Sequence, residues 1–196
     1  MMKAIIFDFF GVFYLDLYWV WLGKKIPNLE KRRSFFQDLS DKLDKNELTE
    51  EKFLQTLSEE SGTPRDSVID EMFGEVSIDQ ELISLLSRFK NKYKIGLLSN
   101  ARGEWLREIL EKEDIAKYFD ELVISSEVGT IKPQPEIFEE MLKCLEVGKN
   151  EALFIDDRAK NVTAAKKFGI KSLLYESNEK LIGDLKKLGL LDPKSS

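Results

Sequence analysis

Short, unbroken runs of apolar residues alternate along the chain with longer segments in which apolar residues recur every three or four positions. The short runs are typical of strands buried on both faces of a parallel sheet, and the longer segments are typical of amphipathic helices. Because strands and helices alternate, the pattern predicts a three-layer α/β fold with helices on both faces of a parallel sheet. The sheet is predicted to have about five strands, at Ala4–Phe7, Lys94–Leu98, Glu121–Ser125, Ala152–Ile155 and Ile170–Tyr175.

One long segment, from residue 28 to residue 73, carries helical periodicity without a strand signal inside it. Its three apolar faces predict a small helical bundle inserted after the first strand. A capping-box spacing at Ser77–Gln80 marks the start of the next helix. We therefore expect a core domain made of residues 1–14 and 79–196, and a helical cap domain made of residues 15–78.

The stretch just after the first strand is unusually aromatic, because Tyr18, Trp19 and Trp21 lie close together. Aromatic side chains of this kind commonly pack into a core. Trp and Tyr are also enriched in pocket walls and at interfaces between protein chains. The sequence leaves open whether this cluster belongs to the core, to the wall of a substrate pocket or to a dimer face.

Composition describes an ordinary folded protein with 42% hydrophobic and 34% charged residues. The net charge is −6 and there is no dense block of Lys and Arg, so nucleic acid is not an expected partner. There is no histidine, and Cys144 is the only cysteine. Ser-His-Asp and Cys-His catalysis, His-ligated zinc and a cysteine metal cluster are therefore excluded.

Nothing in the apolar pattern indicates a membrane. No apolar run approaches the ~18 residues that a spanning helix needs. The run after Lys3 is short, is broken by Asp8 and lacks the small-residue cleavage site of a signal peptide. We expect no membrane partner and a cytoplasmic location, while the oligomeric state stays open.

Polar residues follow the predicted strands at the points where the strands end. In a parallel sheet these ends lie at one edge, where α/β proteins bind their ligands. Taken singly, each residue is also explained as a helix cap, a turn residue or a solvated side chain. The set consists of Asp8 after the first strand, Ser99 and Asn100 after the second, Lys132 after the third, and Asp156 and Asp157 after the fourth.

Three carboxylates that converge on one site repel one another and raise their pKa values. A hard cation such as Mg²⁺ relieves that repulsion, because it prefers oxygen ligands and keeps positions for water and a phosphate. Lys132 and the hydroxyl of Ser99 are suited to holding phosphate oxygens. These residue types indicate a magnesium site that acts on a phosphorylated small molecule.

Four segments at these strand ends resemble the motifs of the haloacid dehalogenase-like superfamily of phosphatases and dehalogenases. The resemblance spans nearly the whole chain and rests on FDFFGV, LLSNA, GTIKPQPEIF and FIDDRAKN. It implies a Rossmann-like core, and the predicted helical insertion lies where small-cap members of the family carry their cap. The branch that the chain resembles includes small sugar-phosphate phosphatases.

The resemblance implies a role for each residue of the phosphate-handling set. Asp8 would be the nucleophile that forms an aspartyl-phosphate intermediate. Ser99 would hydrogen-bond the phosphoryl group, helped by backbone amides near Asn100. Lys132 would neutralise Asp8 and the charge on the transferring phosphoryl group.

The resemblance also implies a set of magnesium ligands. Asp8 would contribute its carboxylate and Phe10 its backbone carbonyl. Asp157 would bind Mg²⁺ directly, and Asp156 either directly or through water. Asn161 would orient the two late aspartates without touching the metal.

Phe10 is the one departure from the family pattern. Phosphatases of the family usually carry a second aspartate at this position, which acts as general acid and then as general base. Phenylalanine cannot transfer a proton, and general acid–base help is typically worth ~10²–10⁴-fold.

Three functions are compatible with this departure. The first is a Mg²⁺-dependent phosphatase of small phosphorylated metabolites, attenuated or supplied with protons from elsewhere. The second is a weak or inactive binding or regulatory module that keeps the fold. The third is a 2-haloacid dehalogenase-type hydrolase, although the late aspartate pair resembles a metal site that dehalogenases do not need. The sequence favours the phosphatase and does not identify its substrate.

Overall fold

The computed structural model describes residues 1–73 and 78–192. Their centre is a five-stranded sheet in which every neighbouring pair of strands is parallel. The strand order is β3-β2-β1-β4-β5. The predicted α/β class with a Rossmann-like sheet is confirmed. The strands are β1 (Ala4–Phe7), β2 (Lys94–Ser99), β3 (Glu121–Ile124), β4 (Ala152–Asp156) and β5 (Lys171–Leu174).

The sequence order of the strands places β1 in the middle of the sheet. The chain first builds outward through β2 and β3, then crosses to the other side of β1 to form β4 and β5. The carboxyl end of β1 is thus flanked by the ends of β2 and β4. A crevice opens at such a reversal of strand order, and α/β proteins bind ligands there.

Helices cover the sheet on both faces. The helices within the described residues are α1 (Leu17–Lys25), α2 (Leu29–Asp44), α3 (Glu50–Ser61), α4 (Val68–Phe73), α5 (Gln80–Phe89), α6 (Gly103–Lys112), α7 (Ser125–Val128), α8 (Pro135–Cys144), α9 (Ala159–Phe168) and α10 (Asn178–Lys187). None of them is long and apolar enough to cross a membrane.

Alternating residues of β1 belong to two separate hydrophobic clusters. Ile5 and Phe7 belong to the larger cluster, while Ala4 and Ile6 belong to the smaller one. Since successive side chains of a strand point to opposite faces, this division places one cluster on each face of the sheet. All four residues are at most 1% exposed, which explains why the strand is a continuous apolar run.

Helices α1 to α4, which we call the helical insert, lie between β1 and α5 in the chain. Their side chains continue the larger cluster away from the sheet, with Phe36, Phe53 and Leu57 at most 2% exposed. The structure adds a helix, α1, over the aromatic stretch that was not predicted to be helical. The third predicted strand is also one residue shorter, since Ser125 begins α7.

The start of α5 is capped by Asp79, whose Oδ1 accepts hydrogen bonds from the backbone N–H groups of Glu81 at 2.9 Å and Leu82 at 3.0 Å. Its Oδ2 accepts a third bond, from Asn178 at 2.9 Å. The predicted capping box involved Ser77, which lies outside the described residues. Asp79 therefore provides the described cap of this helix.

Asp79→Ala is expected to lower the free energy of unfolding by about 1 kcal/mol, because it leaves two backbone donors of α5 without a partner. Asp79→Asn retains an acceptor oxygen and is expected to be close to wild type. Urea denaturation of the two variants and the parent measures the difference. If both variants lost the same free energy of unfolding, the effect would come from the charge of Asp79, and the capping role would be contradicted.

Candidate active site

The carboxyl ends of β1, β2 and β4 form one buried polar cluster, which we call the strand-end site. Asp8 follows β1, Ser99 ends β2 and Asp156 ends β4, with exposures of 6%, 1% and 0%. Lys132, from the loop between α7 and α8, reaches the same place and is 1% exposed. A lysine is rarely buried to this degree unless it is paired.

The partners of Lys132 are two of these carboxylates. Its Nζ lies 2.7 Å from Oδ1 of Asp8 and 2.8 Å from Oδ2 of Asp156. Burial by itself would lower the pKa of Lys132, but the two carboxylates outweigh burial and raise that pKa above its usual value. The lysine is therefore an ammonium group, fixed beside Asp8.

Asn100 holds the backbone of Lys132 in position. Its Oδ1 accepts a hydrogen bond from the Lys132 backbone N–H at 2.8 Å, and its Nδ2 donates to the Lys132 carbonyl at 3.1 Å. This reciprocal pair joins the loop after β3 to the end of β2. The side chain of Asn100 is thus occupied with positioning the lysine.

Asp156 has its oxygens occupied by protein donors. Besides Lys132, it accepts from the backbone N–H of Arg158 at 2.8 Å and from Nδ2 of Asn161 at 3.0 Å to each oxygen. These contacts hold the pKa of Asp156 below its usual value against the effect of burial. Asn161 therefore orients Asp156.

The two carboxylate oxygens of Asp8 differ in their hydrogen bonds. Its Oδ1 accepts from Lys132 and, at 2.7 Å, from the backbone N–H of Phe9. Within the part of the chain that the structure describes, no hydrogen-bond donor contacts Oδ2. Burial raises the pKa of Asp8 well above its usual range, Lys132 opposes that shift, and Asp156 and Asp157 add to it.

The carboxylates of Asp8, Asp156 and Asp157 each offer one oxygen, and the three oxygens lie within 4.8 Å of one another. Burial and the charge of Asp156 raise the pKa of Asp157 to about 6. Its Oδ1 is a buried acceptor without a hydrogen-bond partner among the described residues. An oxygen-only cluster of this kind, with an unpaired acceptor, fits a hard divalent cation.

Gly11 makes room for Asp157. A Cβ atom on Gly11 would lie 2.3 Å from Oδ2 of Asp157, which is far inside contact distance. Gly11 also has φ of +88°, a conformation that other residues rarely adopt. The glycine of the first motif therefore lets the first loop pass next to the late aspartate.

A cavity leads from the strand-end site to the helical insert, and it contains residues that the sequence did not single out. Four polar residues of α2 line it, spaced three and four apart along one face of the helix. Arg102 and Arg158 line it from the core. The α2 residues are Gln37, Ser40, Asp41 and Asp44.

The aromatic stretch divides between core and cavity. Trp21 is 3% exposed, and its Nε1 donates to Glu71 at 3.3 Å, so it packs inside the helical insert. Tyr18 and Trp19 instead line the cavity, as does Phe10. Of the alternatives that the sequence left open, core packing describes Trp21 and a pocket wall describes Tyr18 and Trp19.

Comparison with known proteins assigns this fold and site to a class. A family model for haloacid dehalogenase-like hydrolases matches residues 30–175, which is well over half of the chain. The chain therefore belongs to the haloacid dehalogenase-like hydrolase family, and the family resemblance seen in the sequence is confirmed.

Curated relatives differ in how much of them the chain covers. A D-ribitol-5-phosphate phosphatase from Bacteroides thetaiotaomicron is 26% identical over 90% of this chain and 93% of its own length. Bifunctional epoxide hydrolase 2 from Rattus norvegicus is 28% identical over 64% of this chain. That match spans 24% of the rat protein, and the match to the Mus musculus protein spans 14%. The chain thus spans about a quarter or less of the first relatives it matches.

Solved structures agree on the fold. A HAD-like family hydrolase from Porphyromonas gingivalis has a TM-score of 0.79 at 23% identity, covering 98% of this chain and 100% of that one. A family enzyme from Bacteroides thetaiotaomicron, solved with magnesium and inorganic phosphate, has a TM-score of 0.75 at 22% identity. It covers 91% of this chain and 96% of its own. At these identities, the likeness establishes the architecture alone.

Proposed function

We propose that this protein is a Mg²⁺-dependent phosphatase of small phosphorylated metabolites that works through an aspartyl-phosphate intermediate. The observation that carries the proposal is the geometry around Asp8. Oδ1 is held by Lys132 at 2.7 Å, while no described donor contacts Oδ2. A carboxylate fixed in this way presents one free oxygen as a nucleophile.

The reaction has two steps. Oδ2 of Asp8 attacks phosphorus, and the phosphorus–oxygen bond to the alcohol breaks with its electron pair leaving on the alcohol oxygen, which takes up a proton. Water then attacks phosphorus, the bond between phosphorus and Oδ2 of Asp8 breaks with its electron pair returning to the carboxylate, and the released inorganic phosphate keeps the proton that water loses. Lys132 stabilises the negative charge that the phosphoryl oxygens share in both steps. The buried hydroxyl of Ser99, unpartnered among the described residues, supplies a hydrogen bond to a phosphoryl oxygen.

Asp8 and Asp157, together with the carbonyl of Phe10, are the proposed ligands for Mg²⁺. Asp156 is proposed to bind Mg²⁺ through a water molecule, because its oxygens already accept hydrogen bonds from Lys132, Arg158 and Asn161. When bound, the cation would stabilise the negative charge on the phosphate oxygens and favour the ionised form of Asp8. The phosphatase name of the Bacteroides relative and the magnesium and phosphate in the solved neighbour support this proposal.

The helical insert is the proposed cap, within residues 15–78, and residues 1–14 and 79–196 form the proposed core domain. Two arginines of the core contact this segment beside the cavity. Arg158 Nη2 lies 2.5 Å from Oδ2 of Asp16, and Arg102 Nη1 donates to Oδ1 of Asn46 at 2.9 Å while its Nε lies 3.8 Å from Glu50. A cap held in this way selects the alcohol part of the substrate.

Purified protein is expected to release inorganic phosphate from p-nitrophenyl phosphate and from small sugar and polyol phosphates in the presence of Mg²⁺. EDTA is expected to abolish the release, and added Mg²⁺ to restore it, because the carboxylate cluster then lacks its cation. Phosphate release that persists in EDTA would contradict the proposal. A folded protein inert to the whole panel would favour the second candidate, a binding module, for which Phe10 is the supporting observation.

A further inference from the structure

The cavity between the helical insert and the core has a continuous aromatic wall. Six rings that line it follow one another with centroid separations of 5.2 to 6.5 Å. Four belong to the helical insert and two to the core. The aromatic wall consists of Trp19, Tyr18, Phe53, Trp105, Phe73 and Phe10.

Asp41 and Asp44, which we call the acidic pair, line the same cavity from α2. Asp41 accepts a hydrogen bond from Nε2 of Gln37 at 2.7 Å, and Asp44 has a weak one from the hydroxyl of Ser40 at 3.5 Å. Both donors are neutral. Across residues 1–73 and 78–192, no lysine or arginine lies within ion-pair distance of either carboxylate.

The cations that line the cavity are already paired with other acids. Lys132 lies between the carboxylates of the strand-end site. Arg158 lies 2.5 Å from Asp16, and Nε of Arg102 lies 2.9 Å from Glu104. The part of the cavity that the acidic pair lines therefore carries negative charge with which no described lysine or arginine forms an ion pair.

The raised pKa of Asp44 agrees with this excess of negative charge. Burial raises the pKa of Asp44 to about 7, with Asp41 and Asp16 adding to the shift and Arg158 opposing it. Asp44 is the last residue of α2, where the helix dipole also disfavours a negative charge. Burial raises the pKa of Tyr18 too, and Asp44 adds to that shift. A positive charge placed here would be stabilised.

We propose that the alcohol part of the substrate carries an ammonium group, which binds between the acidic pair and the aromatic wall while the phosphate occupies the strand-end site. The proposal rests on the proposed phosphatase function. Electron-rich ring faces attract ammonium and quaternary ammonium groups, and carboxylates add charge-assisted contacts. One ring already does this within the protein, since Arg33 lies over Trp19 at 4.3 Å.

This substrate class also bears on the missing general acid. A positive charge near the leaving oxygen favours its negatively charged form. The alcohol of an amino-alcohol phosphate therefore departs with less help from a proton donor than a neutral alcohol does. The absence of a proton donor at Phe10 then lowers the rate of turnover less with such a substrate. The ring of Phe10 is part of the aromatic wall that binds the cation.

Two substrates of nearly the same shape test the proposal. Phosphocholine and 3,3-dimethylbutyl phosphate differ in having a positively charged nitrogen or a neutral carbon at the same place. With Mg²⁺, kcat/KM is expected to be at least about tenfold higher for phosphocholine or phosphoethanolamine than for the neutral ester. A ratio near one, or a higher kcat/KM for a polyol phosphate such as ribitol 5-phosphate, would overturn the proposal.

Variants identify where the preference arises. The ratio of kcat/KM for phosphocholine to that for 3,3-dimethylbutyl phosphate is expected to fall towards one in the double variant Asp41→Asn, Asp44→Asn. Asp38→Asn is the matched control, because Asp38 is exposed on the same helix and pairs with Lys42 at 2.7 Å. It is expected to keep the ratio. An unchanged ratio in the double variant would overturn the proposal.

Failure of this inference is distinguishable from failure of the proposed function. A protein that hydrolyses p-nitrophenyl phosphate with Mg²⁺ but shows no preference for the cationic ester is a phosphatase with another substrate class. A folded protein that hydrolyses none of these esters would contradict both proposals. Because the ratio is measured within each variant, a general loss of active protein cancels.

Discussion

Replacing Asp8 by asparagine is expected to lower kcat by at least about 10³-fold, because the amide oxygen is a poor nucleophile at phosphorus. No other described carboxylate has an equivalent position. Asp156 has its oxygens occupied by donors, and Asp157 is held next to Gly11. Initial rates with p-nitrophenyl phosphate and saturating Mg²⁺ measure the loss.

The fold is expected to survive this substitution. The asparagine side chain retains an oxygen for the backbone N–H of Phe9 and for Lys132, which also keeps its pair with Asp156 at 2.8 Å. Burial and two neighbouring carboxylates disfavour the charge of Asp8, as its raised pKa shows. Removing that charge is therefore expected to leave the melting temperature in EDTA unchanged or higher.

A covalent intermediate separates this mechanism from simple metal-assisted hydrolysis. Acid quenching during turnover of a phosphorus-labelled ester is expected to trap label on the wild-type protein and none on Asp8→Asn. Asp79→Asn is the matched control, since it makes the same chemical change at a helix cap whose side chain bonds Glu81, Leu82 and Asn178. Label retained by Asp8→Asn, or turnover near the wild-type rate, would contradict the role of Asp8 as nucleophile.

The strand-end site was predictable because local pattern and topology act together there. A short apolar run that ends in an acid specifies both a buried strand and the place of the acid at its end. Parallel pairing then brings such ends to one edge of the sheet. These two facts are enough to predict the positions of Asp8, Ser99 and Asp156, without knowledge of individual tertiary contacts.

The polar side of the cavity was not predictable in the same way. Gln37, Ser40, Asp41 and Asp44 follow helical spacing, and a polar stripe on a helix usually faces solvent. Only the packing of the helical insert against the core turns this stripe towards a cavity. The pair between Arg158 and Asp16 joins residues 142 positions apart, so no local pattern could indicate it.

Two of the elements that differ from prediction have local causes. The apolar pattern predicts Ser125 as the end of a strand, but its hydroxyl accepts a hydrogen bond from the backbone N–H of Ala101 at 3.0 Å and the chain turns into α7. In α1, Leu17, Trp21 and Leu22 are buried at helical spacing. The concentration of aromatic residues in that stretch obscures the spacing.

Replacing Lys132 by methionine is expected to lower the free energy of unfolding by about 3–5 kcal/mol, because it leaves two buried carboxylates without their shared cation. Methionine fills a similar volume, so the loss reports charge and not a cavity. Lys52→Met, at an exposed position of α3, makes the same change and is expected to stay within about 0.5 kcal/mol of wild type. Chemical denaturation in EDTA measures both.

The same substitution removes the positive charge beside Asp8, where the proposed phosphoryl transfer takes place, and it is expected to lower kcat by about 10²–10³-fold. Its effects on stability and on turnover are separable through a double variant. Asp8→Asn added to Lys132→Met removes one of the two unpaired charges, so it is expected to recover part of the lost stability while turnover stays absent. A double variant no more stable than Lys132→Met would show that Asp8 and Lys132 are not coupled. That result would contradict the ion pair on which the proposed nucleophile depends.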